Sequence, residues 1–133
     1  MTVEQALVVI VAADATLTSE DMLGVNLRFF PVSGEQAGDL SYVVYGVRRV
    51  DPITTQDIAL CGLREWAVQL DCYSGTYADC RALANQLLAV LVKHGVYDGI
   101  SSVVLERDMS LPEEAESKVF HIVLELCIME SLT

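Results

Sequence analysis

The sequence predicts an α+β domain, a mostly antiparallel sheet of four to five strands with two helices packed on one face, in the order α-β-β-β-α-β-β. Three stretches carry that prediction. Over residues 64–73, Trp66, Val68, Leu70 and Cys72 alternate with Glu65, Ala67, Gln69 and Asp71, the period of a strand buried on one face. Tyr77, Cys80, Leu83, Ala84, Leu87, Leu88 and Leu91 then recur at three- and four-residue steps, the stripe of an amphipathic helix. Over residues 119–129, Phe120, Ile122, Leu124, Leu126 and Ile128 share one strand face, and His121, Val123, Glu125 and Cys127 the other.

At the start, Thr2 and Gln5 have capping-box spacing and Glu4 suits the positive end of a helix dipole, so a helix is expected over residues 3–13. Its Val8-Val9-Ile10-Val11 centre is β-branched and would also suit a strand. No polar side chain interrupts residues 6–13, so a helix here is buried on more than one side. Leu7 and Ile10 are therefore candidates for the core or for a subunit contact. Polar residues over 16–24 allow a short helical turn that stops at Gly24. A short strand over residues 25–30, ended by Pro31, and a polar loop over 33–39 follow.

Residues 40–50, with Tyr42, Val43, Val44, Tyr45 and Val47, have strong β character. Asp51-Pro52 opens a connection that is long for a hairpin, and such connections are often functional. Its Asp51, Thr54, Thr55, Asp57 and Ile58 are candidates for contact with another subunit or a partner. Beyond the strand over 64–73, Ser74 and Gly75 break the run. Thr76 can cap the helix with Asp79 at its third position, and Gly95 is placed to end it. A strand over 100–108 and an acidic loop over 111–118 complete the pattern.

The 133 residues fit one domain, and a hydrophobic share of 53% beside a formal net charge of -11 concentrates negative charge on a small polar surface. Eight Lys+Arg against nineteen Asp+Glu disfavour tight nucleic-acid binding. The positive mean hydropathy of +0.41 fits either a Val- and Leu-rich core or apolar surface covered by another subunit. The longest apolar run is far below the roughly 20 residues that span a bilayer, and no signal peptide is evident, so a soluble cytoplasmic protein with free thiols is expected.

Enzyme motifs are missing: there is no phosphate-binding glycine loop, G-x-S-x-G, H-E-x-x-H or C-x-x-C. Cys127 and His121 share a strand face but lie roughly 20 Å apart, too far for a nucleophile and its base. His94 suits the negative end of a helix. Glu106 and Asp108 are expected on one strand face about 6.6 Å apart, a spacing some glycosidases use, although a solvated strand end explains them as well. Trp66 keeps phase with Val68 and belongs to the core. Glu65, Gln69, Asp71, His121 and Glu125 are expected on the sheet face turned away from the helices, wet in a monomer and a wall or interface in a ring.

Leu40-Ser41-Tyr42-Val43-Val44-Tyr45, Leu63-Arg64 leading to Val68-Gln69-Leu70-Asp71-Cys72-Tyr73, and Thr76-Tyr77-Ala78-Asp79-Cys80-Arg81-Ala82-Leu83-Ala84 resemble the tail completion or tail terminator (minor tail) proteins of long-tailed bacteriophages and prophages. The first helix and last strand fit the same layout, so the resemblance covers nearly the whole chain. It implies a small structural α+β protein, without cofactor or catalytic residue, assembled in the host cytoplasm as a hexameric ring on the head-proximal end of the tail tube. Its implied partners are copies of itself, the tail tube protein and the head-tail connector or neck protein, with DNA passing through unbound and no membrane involved. The implied place is the virion tail. A neck or head-completion role, or a small ligand-binding or enzymatic domain, is the alternative. On this reading Glu65, Gln69, Asp71, His121 and Glu125 are lumen or interface candidates.

Overall fold

The computed structural model describes residues 3–24, 26–31, 41–50, 63–93, 100–111 and 120–131. Helix α1 (Val3–Ala12) is followed by strands β1 (Phe29–Pro31), β2 (Tyr42–Val50) and β3 (Leu63–Ser74), helix α2 (Tyr77–Lys93), and strands β4 (Ile100–Leu111) and β5 (Phe120–Ser131). The five strands form one sheet in the order β1-β2-β3-β5-β4. All neighbours are antiparallel except β1 and β2, so the sheet is mixed. Both helices contribute to the apolar layer on one face of it.

β3 and β5 pair along their whole lengths, from Leu63 opposite Ser131 to Ser74 opposite Phe120. Their even-numbered residues Val68, Leu70, Cys72, Ile122, Leu124, Leu126 and Ile128 are buried together against α2. α2 meets them with Cys80, Leu83, Ala84, Leu87, Val90 and Leu91, the stripe set by its three- and four-residue spacing. The Asp79 backbone N–H donates to Thr76 Oγ1 at 3.2 Å, so Thr76 caps this helix as its sequence position implies. The expected cap at Gly95 lies outside the described residues.

α1 is a helix despite its β-branched centre because Val3, Ala6, Leu7, Ile10 and Val11 fall on one buried stripe. Leu7 and Ile10 are 0% and 4% exposed, which makes them core rather than surface offered to another subunit. The segment after α1 departs from expectation. Residues 14–24 form successive turns instead of a helical turn at 19–23, with Thr18 and Ser19 donating to backbone carbonyls. Gly24 has φ 75°, and a Cβ there would stand 2.6 Å from Arg28 Nη1. The Arg28 guanidinium explains that closeness: it donates to the carbonyls of Met22 at 2.6 Å and Ser41 at 2.7 Å, tying the turns to the start of β2.

The strand expected over 25–30 shrinks to Phe29–Pro31, because Leu27 adopts φ 53° and interrupts an extended run. Pro31 lies within this strand, at the sheet edge, where its missing N–H costs no ladder bond. The described strands β3, β4 and β5 run further than expected, to Ser74, Leu111 and Ser131. Ser74 ends β3 buried, its hydroxyl hydrogen-bonded to that of Ser41.

Leu87 is fully buried where α2 meets the sheet. Leu87→Ala should cost about 2–5 kcal/mol in urea denaturation. Thr76→Ala should cost about 1 kcal/mol. A loss well below 1 kcal/mol for Leu87→Ala would contradict this packing.

Candidate assembly surface

With the even positions of β3 and β5 turned to the core, the odd positions form the opposite face, half-buried to exposed apart from buried Val123. Glu65, Gln69, Asp71, His121 and Glu125 all lie on it, as the alternation implies. Three of them, Gln69, Asp71 and His121, are hydrogen-bonded together. Gln69 Nε2 donates to the Asp71 carboxylate at 3.2 Å, and His121 Nε2 lies 3.0 Å from Asp71 Oδ1. The His121 ring stacks on Tyr73 with centroids 4.3 Å apart, Tyr73 stacks on Tyr42 at 4.8 Å, and Phe30 tilts against Tyr42 at 6.4 Å. Four rings on four strands thus brace one end of the face.

At the other end the face is acidic and hollow. Gly46 and Ala67 leave a depression of about 590 Å³, rimmed by Gln69, Asp71, Glu106 and Glu125 with Arg48. Nothing lies within 4 Å of where a Gly46 Cβ would stand. Arg107 Nε lies 3.6 Å from Glu125 Oε2, an exposed pair of little energetic weight.

Cys127 Sγ donates to Glu65 Oε1 at 3.0 Å, and one ligand atom each from Glu65, Glu106 and Cys127 lie within 4.8 Å of one another. Burial, the Glu65 hydrogen bond and the charges of Glu65 and Glu106 push the Cys127 thiol up to about 12. Near neutrality the Cys127 thiol therefore keeps its proton and serves as the hydrogen-bond donor to Glu65. Burial likewise raises Cys80 to about 11 and raises Cys72. Cys72, Cys80 and Cys127 are free thiols.

The expected pairing of Glu106 with Asp108 on one face is overturned. A register shift between Leu105 and Arg107 inserts Glu106 as a bulge, so alternation restarts one residue later. Glu106 consequently joins the open face, whereas Asp108 turns to the helix side and accepts from Arg81 Nη1 at 2.7 Å. Arg81 Nη2 donates to Ser110 Oγ at 3.0 Å. The Tyr77 hydroxyl is lowered below its ordinary pKa by hydrogen bonds to Ser110 and Arg81. Of the four residues that could have suggested an enzyme, Glu106 and Cys127 are brought together beside Glu65, whereas His121 bonds Asp71 and Asp108 lies on the other side of the sheet.

Sequence reasoning missed the β4 side. Val104 is 55% exposed, Leu105 39% and Val92 48%, beside an apolar groove of about 660 Å³ that Leu88, Ala89 and Val103 also line. The available signal was the apolar run Val103-Val104-Leu105 in a strand that no second alternating strand accompanies on its outer side. Asp51, Thr54, Thr55, Asp57 and Ile58 lie outside the described residues, as do Cys61 and His94. No helix among the described residues is long and apolar enough to cross a membrane.

The geometry defines a class: an α+β two-layer sandwich with helices on one face of a mixed sheet and, among the described residues, no element over the other face. No protein-family profile matches the chain, and no curated protein is significantly similar to it. The fold is similar to that of a chain in the solved structure of the virion of a native gene transfer agent (GTA) particle. The TM-score is 0.68 and the identity 17%, over 97% of this chain and 94% of that one.

Because folding raises these thiols above their ordinary 9.0, the native state keeps protons that the unfolded chain releases. Stability from this source is full below about pH 9 and declines as pH rises towards 11 and 12. Cys127 should alkylate slowly at pH 8 despite its partial exposure, and Glu65→Gln should accelerate it several-fold in mass-spectrometric peptide mapping. Equal rates in the two proteins would contradict the Glu65 hydrogen bond as a cause.

Proposed function

We propose that this chain is a structural protein of a phage-like particle, a tail terminator that assembles as a hexameric ring on the head-proximal end of the tail tube. The ring ends tube growth and presents the surface to which the head connector joins. The observation that carries this reading is the fold likeness to a virion chain along nearly the whole length of both chains. The sequence resemblance to tail terminators refines it to the tail end, and the dispersal of Cys127, His121 and Asp108 removes the main support for the catalytic alternative.

Charge fits the same role. A channel that passes DNA is best walled by groups that do not hold phosphate, and Glu65, Asp71, Glu106 and Glu125 lie together on the open face. Of the cations that could oppose this, Arg81 is engaged by Asp108 on the helix side, whereas Arg107, paired with Glu125, and Arg48 share the open face and are outnumbered there by its carboxylates. Contacts with the tail tube protein and the connector then fall to the ring's two rims, with residues 51–62 as the candidate segment.

The test is electron microscopy of particles made by a host from which the chain's gene has been removed. A terminator predicts overlong tubes lying free beside filled heads, and complementation restores tails of fixed length. Tails of normal length left unattached would favour a neck or head-completion role instead. Complete, infectious particles would overturn the structural reading.

A further inference from the structure

The two edges of the sheet differ in character but face compatible directions. β1 covers only Val43, Val44 and Tyr45 of β2, so among the described residues no strand lies outside Gly46, Val47, Arg48, Arg49 and Val50. At the opposite edge, β4 pairs, among the described residues, with β5 alone. β2 is antiparallel to β3, β3 to β5 and β5 to β4, so β4 runs antiparallel to β2. A second copy set alongside the first can therefore continue the sheet as an antiparallel ladder.

Register aligns the two open stretches. Arg48 shares a row with Ala67, Cys127 and Val104, and Arg49 shares one with Trp66, Ile128 and Val103. The lengths agree as well. Residues 102–105 of β4 lie between two register shifts, and β1 closes β2 off beyond Gly46, so pairing would stop after about four rows. Bulges and short free stretches limit an edge to one defined contact instead of open-ended aggregation.

Chemistry agrees with register. The β2 stretch carries exposed Arg48 and Arg49 in a chain of net charge -11, while the β4 side presents exposed Glu106 next to Val104 and Leu105. An edge strand with a β-branched residue 55% exposed is a surface that folded proteins cover. We propose that its cover is a second copy of this chain, whose residues 47–50 add antiparallel to residues 102–105 of β4, with Arg48 opposite Val104 and in diagonal reach of Glu106.

The contact is head to tail, since each copy gives one edge and receives the other, and such contacts close rings when their rotation permits. This rests on the ring of the preceding reading, though not on where the ring sits. At the junction each copy contributes β2, β3, β5 and β4. Six copies then close a wall roughly 115 Å around and about 37 Å across at the backbone, before strand tilt widens it. The helices take the outer, longer circumference, and the acidic open face lines the lumen.

Charge reversal tests the contact on the full chain. Arg48→Glu and Glu106→Arg should each weaken self-association at least tenfold by size-exclusion chromatography with light scattering, with thermal melting unchanged because both positions are exposed. An equimolar mixture should reassemble as alternating copies, since each variant restores the charge pair its neighbour lacks. Val104→Lys should disrupt assembly without touching that pair, and serves if a charge variant misfolds. Assembly of all three variants at wild-type concentrations would overturn the interface, as would folded variants that fail to recombine, or a wild type that never self-associates. Variants that assemble normally and still end tails would leave the terminator reading standing without this interface. Rescue by mixing of a chain that particles do not need would do the reverse.

Discussion

The pairing of β3 with β5 is the constraint on which the rest of the structure depends. Twelve consecutive residues of each strand face one another without a register shift, from Leu63 and Ser131 to Ser74 and Phe120. Because side chains alternate with period two, that register decides everything on both faces: a slip of one residue would bring Gln69, Asp71 and Glu125 into the core and expose Leu70 and Leu124. The cost of burying those carboxylates without partners is what holds the alignment. α2 reads the apolar side, and α1 reaches the core by packing against α2.

The opposite side carries the consequence. The face that the described helices leave uncovered is stabilised laterally, by the Tyr42, Tyr73 and His121 stack and by the Gln69, Asp71 and His121 bonds. It stays acidic and half-wet, and its thiol at Cys127 is kept protonated by burial and by the neighbouring carboxylates.

Much of this was legible in the sequence where periodicity was strong and both partners obeyed it. Trp66 to Cys72 and Phe120 to Ile128 gave the central strands, Tyr77 to Leu91 the helix, and the odd positions the open face. Legibility failed where backbone geometry breaks the period. Leu27 at φ 53° shortens β1, and an apolar run does not announce a left-handed residue. The bulge at Glu106 sends Asp108 to Arg81, and only the unbroken charges Glu106-Arg107-Asp108 hint that alternation cannot hold there. The parallel pairing of β1 with β2 is invisible because partner choice across a long connection leaves no local mark. The exposed β4 edge was hidden for a related reason, since exposure depends on which strand ends up outermost.

A closed ring of identical copies is the central claim, and native mass spectrometry of the purified chain across micromolar concentrations addresses it most directly. A closed ring should appear as a discrete assembly of six copies that gains population with concentration, with no open-ended series above it. A monomer at every concentration, or a ladder of unlimited size, would contradict it.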